Sequence, residues 1–129
     1  MTRIGILTGG GDVPGLNSII KSVVYRSTEL GWEVLGIRRG WKGLTHLQQG
    51  PALDSYSTWP LDRRNTRAID RTGGTVLHSS RTNPARMKAD GLPDHLPADR
   101  LAAMQTDDGR YDLTPVVLDN IAHLGLTHL

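Results

Sequence analysis

Residues 6–20, ILTGGGDVPGLNSII, run from an apolar stretch through three glycines, an acid and a proline into a segment with helical spacing. The run at residues 3–8, RIGILT, is β-branched and apolar and stops at the glycines, the pattern of a central strand buried on both faces. Downstream, Leu16, Ile19, Ile20, Val23 and Val24 fall on one helical stripe, with Asn17, Ser18, Lys21, Ser22 and Arg26 off it, and the helix is expected to end near Gly31. Asp12 is placed to cap free amides of that helix, and Pro14 suits a first turn because its missing donor would have no intrahelical acceptor. Residues 32–37, WEVLGI, then return as a second strand. Strand, helix and strand in so short a span make a βαβ unit, with parallel strands and a right-handed crossover. The expected fold is α/β: an open, mostly parallel sheet with flanking helices.

Further along, residues 40–60 are rich in Gly, Pro, Ser and Gln and read as loop, with one short extended piece near Ala52 to Tyr56. LDRRNTRAID, residues 61–70, predicts a short helix, and TVLH, residues 75–78, a strand that runs into a polar loop closed by Pro84. Residues 85–111 are broken by Gly91, Pro93, Pro97 and Gly109 and read as a surface insertion in which only ADRLAAMQ, residues 98–105, has helical composition. TPVVLDNIAHLG, residues 114–125, is a well-signalled helix: Thr114 as N-cap, Pro115 at the first helical position, Val117, Leu118, Ile121 and Leu124 on one stripe, and Gly125 as the stop. The final LTHL reads as the start of a next strand, from which a chain cut short of its full domain is expected.

Composition bounds the function. A chain of 129 residues is the size of one compact domain. Its 15 Lys and Arg stand against 13 Asp and Glu, scattered along the chain, so no basic nucleic-acid footprint is expected; Arg38, Arg39 and Lys42 read as a solvated loop. There is no cysteine, hence no disulfide framework, thiolate metal site or cysteine nucleophile. The N-terminus lacks a signal-peptide pattern, and no segment approaches the roughly 18 consecutive apolar residues of a membrane helix. A cytoplasmic location with no membrane partner is expected. None of His46, His78, His95, His123 and His128 sits at ligand spacing with a partner, so no histidine metal site is expected. Trp32 and Trp59 read as packing residues.

A strand that turns through glycines into a helix leaves backbone amides pointing at one spot, where the helix dipole also favours negative charge. The natural ligand of such a turn is a phosphate. Two familiar phosphate-binding patterns fail here. The dinucleotide fingerprint would use Gly9 and Gly11 but meets Pro14 where its third glycine belongs, and Arg38 and Arg39 stand where its acid is expected. The P-loop needs Gly-Lys, which the chain lacks. A second constellation, GGTVLHSSRT at residues 73–82, supplies another glycine pair, the hydroxyls of Thr75, Ser79, Ser80 and Thr82, and the Arg81 guanidinium, which can clamp phosphate oxygens bidentately.

At these residues the sequence resembles the phosphofructokinase family. GILTGGGDVPGLNSII is similar to that family's opening segment, GWKGL at residues 40–44 to its next loop, and GGTVLHSSRTNP at residues 73–84 to its Gly-Gly-Thr segment. The Ser-Ser-Arg-Thr-Asn-Pro form is most similar to bacterial members, some of which use pyrophosphate in place of ATP. The resemblance implies a glycolytic kinase that transfers a phosphoryl group from ATP or pyrophosphate to fructose 6-phosphate with Mg²⁺, and that assembles as a homo-oligomer. It implies donor contacts at Gly10, Gly11, Trp41, Arg81 and Thr82. His78 replaces the small glycine usual in the motif. Lys21 and Tyr25 fall where effector-regulated members carry arginines, so effector control is not expected. The resemblance also implies that residues 1–129 are a partial N-terminal donor-binding domain. The Mg²⁺ ligands are then expected beyond Leu129, with no catalytic base and no sugar-phosphate site on this chain. The other reading is a stand-alone nucleotide- or phosphate-binding module without catalysis.

Overall fold

The computed structural model describes residues 1–10 and 14–129, so the expected cap at Asp12 and donor contact at Gly11 lie outside the described residues. Its elements are β1 (Arg3–Ile6), α1 (Leu16–Glu29), β2 (Glu33–Ile37), α2 (Trp41–His46), β3 (Thr58–Leu61), α3 (Arg63–Thr66), α4 (Ala98–Ala103) and α5 (Thr114–Leu124), with 3₁₀ turns at Ile69–Arg71 and Ala89–Gly91. β2 lies between β1, which it pairs in parallel, and β3, which it pairs antiparallel. The chain's end runs alongside β1 as well: Ile4 and His128 form a parallel bridge, with the Gly5 amide donating to the His128 carbonyl at 2.8 Å. The sheet is therefore mostly parallel, and β1 is interior to it.

β2 organises the two layers because its side chains alternate between faces. Val34 joins Ile20 and Val24 of α1, together with Leu61, Ile69 and Leu77, on one face. Leu35 and Ile37 join Leu44 and Leu47 with Val117 and Leu124 of α5 on the other. A third cluster of Met87, Leu113 and Val116, with Leu92, Leu96, Met104 and Tyr111 against it, lies outside these layers. Residues 85–111 therefore have a small core of their own, fastened by backbone bonds exchanged between Met87 and Tyr111 at 2.8 and 2.9 Å.

Several local expectations are corrected. Residues 40–60 are not all loop: α2 begins at Trp41, and the strand lies at Thr58–Leu61 instead of near Ala52 to Tyr56. Residues 75–78 are a turn, with the His78 amide donating to the Thr75 carbonyl at 3.2 Å. Their remaining polar groups are met from elsewhere in the chain: the Asn17 side chain accepts from the Val76 amide, and the Leu77 carbonyl accepts from the Arg39 amide. A ladder is thus not needed to bury Leu77. On α1 the buried positions are Asn17, Ile20, Val24 and Ser27, while Ile19 is 60% exposed. On α5 they are Val116, Val117, Asn120 and Leu124, with Leu118 outside. Thr114 is the first residue of α5 and not its cap; the Asp112 carboxylate accepts from both its amide (3.0 Å) and its hydroxyl (2.6 Å). Gly125 ends α5 in the left-handed conformation, as expected. α3 carries a reciprocal capping box between Asp62 and Asn65. No helix among the described residues is long and apolar enough to cross a membrane.

Candidate functional site

The first glycine turn leaves β1 at residues 7–10, and two other loops are sewn to it. From one side comes the 75–82 segment. The Thr8 hydroxyl lies 2.9 Å from that of Thr75 and donates to the His78 carbonyl at 3.0 Å. The Gly10 amide donates to the Ser80 carbonyl at 3.3 Å, and the Ser79 hydroxyl donates to the Gly10 carbonyl at 2.8 Å. From the other side comes the turn that leaves β2. The Arg39 amide donates to the Leu77 carbonyl at 2.8 Å, and the Ser80 hydroxyl donates to the Arg39 carbonyl at 2.6 Å.

Gly40 sits where these three segments meet. With φ at +60°, a side chain there would place its Cβ 2.8 Å from the Thr8 carbonyl oxygen. Glycine is needed at that point for both the conformation and the close approach. Arg39 and His78, at φ of 64° and 59°, also hold left-handed conformations uncommon for residues with side chains. Such residues persist where the surroundings over-determine them, which is typical of functional loops.

α1 starts from this region. Its N-terminal flank, Gly15, is left-handed with φ of 95°, and among the described residues no side chain caps the helix and no acid stands in its first turn. A helix N-terminus carries partial positive charge. Asn17 ties the helix to the second motif: its side-chain amide donates to the Thr72 carbonyl at 2.9 Å while its oxygen accepts from the Val76 amide at 2.8 Å.

The structure places the expected site residues unevenly. Gly10, with φ of 78°, is bonded directly to the loop that leads into Arg81 and Thr82. Arg81 is exposed, and the Thr82 hydroxyl lies 3.2 Å from that of Ser80. Both line a cleft of about 540 Å³ that also receives Lys42, His46 and Arg86. Trp41 is half-buried against the Leu44 cluster and lines a separate apolar groove with Pro84, Val117 and Ile121.

Arg38 and Arg39, read from sequence as a solvated loop, are folded onto aromatic rings. Arg39 lies 4.0 Å from the Tyr56 ring centre and donates to the Tyr56 carbonyl, and Arg38 lies 6.0 Å from that of Trp59. Neither contact was visible in sequence, because both depend on the antiparallel approach of β3.

His46, at the rim of the cleft, has its pKa held below the ordinary 6.5 first by burial and then by the neighbouring Lys42 charge. Among the described residues no three His, Asp or Glu side chains converge on a cation site. What the described residues do offer is a bonded glycine turn, a loop rich in hydroxyls and an exposed guanidinium, a combination suited to phosphate oxygens.

Comparison with known proteins shows what the chain is similar to. The chain is 44% identical over 88 residues to the pyrophosphate–fructose 6-phosphate 1-phosphotransferase of Dictyoglomus thermophilum, a match covering 68% of this chain and 23% of that protein. It is 45% identical over 91 residues to ATP-dependent 6-phosphofructokinase 3 of Streptomyces coelicolor, covering 70% of this chain and 24% of the relative. The matched stretch thus spans about a quarter of the length of these relatives. The fold resembles that of Pichia pastoris phosphofructokinase in the T-state, with a TM-score of 0.64 at 21% identity over 97% of this chain and 10% of that one. The phosphofructokinase family model matches residues 3–108, a span that holds the glycine turn, the turn after β2 and the Arg81 loop together; the chain belongs to the phosphofructokinase family.

Proposed function

We propose that this chain is the phosphoryl-donor side of a phosphofructokinase-type site, holding the phosphates of pyrophosphate or ATP for transfer to fructose 6-phosphate. The observation that carries this reading is the stitching of three loops through Gly10, Ser80 and Arg39, which fixes the backbone at the root of Arg81 before any ligand arrives. Phosphoryl transfer asks the protein mainly for positioning and neutralisation of charge. In this reading the Gly10 turn and α1 present partial positive charge to the donor. Arg81 clamps its oxygens, with Thr82 beside it, while Trp41 lines a separate apolar groove and would reach the donor only from there. No residue of the chain is assigned as catalytic base, so the 129-residue chain binds donor and does not turn it over. Acceptor sugar, divalent cation and oligomeric contacts belong in this reading to the remainder of a longer enzyme.

Calorimetric titration of the chain with pyrophosphate and with ATP tests the proposal. Binding of at least one of them is expected. Arg81→Ala should weaken it about 10- to 100-fold, the loss of a charge-assisted contact worth about 1.5–3 kcal/mol. Absence of binding, or equal affinity in the Arg81→Ala variant, would overturn the reading. Formation of fructose 1,6-bisphosphate by the chain alone would overturn the assignment of the donor side only.

A further inference from the structure

Arg39, Gly40 and His78 all hold left-handed backbone where the three loops meet. Two of them have a structural reason. Gly40 lies too close to the Thr8 carbonyl for a side chain, and the Arg39 guanidinium donates to the Tyr56 carbonyl at 2.6 Å and lies 4.0 Å from that ring's centre. His78 has no such anchor: its side chain is exposed while its neighbour Leu77 is fully buried, so packing does not account for an imidazole there. A conformation that glycine would hold with less strain, kept by a residue whose side chain meets solvent, points to a use for that side chain.

Its place in the fold says which use. The Thr8 hydroxyl donates to the His78 carbonyl at 3.0 Å, and two residues further on the Gly10 amide donates to the Ser80 carbonyl at 3.3 Å. Residues 78–80 therefore run alongside Thr8–Gly10, with His78 at the Thr8 end and Arg81 leaving at the Gly10 end. Between those ends the backbone is bare. Gly9 and Gly10 are exposed, and a Cβ on either would meet no atom within 4 Å. Thr8 is itself buried at 8% exposure, its hydroxyl 2.9 Å from that of Thr75, so the His78 end is fixed before any ligand arrives. An anion seated over this open turn is thus bounded by two exposed side chains that carry N–H donors, Arg81 at one end and His78 at the other.

We infer that His78 is a phosphate-contacting residue of this site, its imidazole donating to an oxygen of the ligand over Gly9 and Gly10 from the end opposite Arg81. The inference deepens the donor-side reading and rests on it. It also gives the strained backbone a cause: the residue is kept for ligand binding and not for folding.

The test separates folding from binding in one variant. Glycine adopts the backbone of residue 78 and removes only the ring. His78→Gly should therefore raise the urea midpoint while weakening pyrophosphate binding about 10-fold in calorimetry at constant ionic strength, the loss of one hydrogen bond to a charged group. A merely structural role would move both readouts in the same direction. In the unsubstituted chain labelled with ¹⁵N-histidine, the ring-nitrogen resonances that vanish in His78→Gly should shift on titration with pyrophosphate, saturating at the calorimetric Kd, and stay in place with chloride at the same ionic strength. Affinity unchanged or raised in His78→Gly, midpoint and affinity falling together, or ring resonances indifferent to pyrophosphate would each overturn the inference while leaving Arg81 as a donor contact. Failure of the unsubstituted chain to bind pyrophosphate, or equal affinity in Arg81→Ala, would bring down the donor-side reading and this inference with it.

Discussion

His78 and Arg39 occupy neighbouring turns at the heart of the candidate site, both in a conformation that favours glycine. His78 is exposed, so its side chain gives little in return for the strain. The left-handed conformation costs an L-residue about 1–2 kcal/mol, of which glycine forfeits about 0.5–1 kcal/mol through a freer unfolded chain. His78→Gly is therefore expected to stabilise the protein by about 0.5–1 kcal/mol, read as an upward shift of the urea midpoint. Arg39 differs, because its guanidinium is anchored on Tyr56. Asn17 shows the opposite balance. It is buried at 3% exposure and serves two backbone groups of the 72–76 segment at once. Asn17→Ala leaves a donor and an acceptor without partners and is expected to cost about 2–3 kcal/mol. It should also weaken pyrophosphate binding, since the root of the Arg81 loop loses its tie to α1. Unfolding and titration of the one variant measure both effects. Arg81 and Thr82 were legible as candidates from their motif. Asn17 was not, because a polar residue flanking an apolar stripe gives no sign of which backbone it will reach.

At the scale of elements, β1, α1 and β2 were readable because hydrophobic periodicity and glycine punctuation carry them locally. α2 was hidden among turn-forming residues, and the reason is visible at Gly43. A Cβ there would overlap the Arg38 carbonyl oxygen and approach Ile37 Cγ2 at 2.8 Å. The helix forms because its backbone can lie directly on the end of β2, a tertiary gain that no local propensity records. Gly43→Ala replaces that contact with a clash against backbone, which cannot swing away. It is expected to destabilise the fold by about 2–3 kcal/mol despite the better helix propensity of alanine. Thermal unfolding checks the sign, because an isolated-helix argument predicts stabilisation and the packing argument predicts loss. The TVLH turn was misread for a related reason: its apolar pattern suits a strand, but Asn17 and Arg39 meet its backbone from outside any ladder. The Met87–Tyr111 bridge was likewise unreadable, since it joins segments distant in sequence.

Across the whole molecule, titrating groups should divide the pH dependence of stability into two limbs. His46 lies partly buried on α2 with its Nδ1 2.8 Å from the Thr45 hydroxyl. Burial, then the Lys42 charge, lowers its pKa; the Lys42 carbonyl and Asp94 oppose this, and His95 adds to it. The unfolded imidazole takes up a proton near 6.5 while the folded one resists, so the unfolded state binds more protons as pH falls. This contribution is complete above 6.5 and is lost as pH falls through the folded value. Three aspartates form the lower limb, each held below 3.8: Asp112 chiefly by the Thr114 hydroxyl, Asp70 by Lys21 and Asp108 by the Thr106 hydroxyl. Their contribution is present above 3.8 and disappears as pH falls through their folded values. All three are exposed or nearly so to solvent, so this limb should be shallow, and the Asp70 part should shrink with added salt because Lys21 is a screened partner. Urea midpoints measured from pH 8 to pH 3 should therefore fall first just below 6.5 and again below about 4. His46→Gln should flatten the upper limb and leave the lower one in place. An upper limb that persists in His46→Gln would mean that burial of this imidazole is not its source.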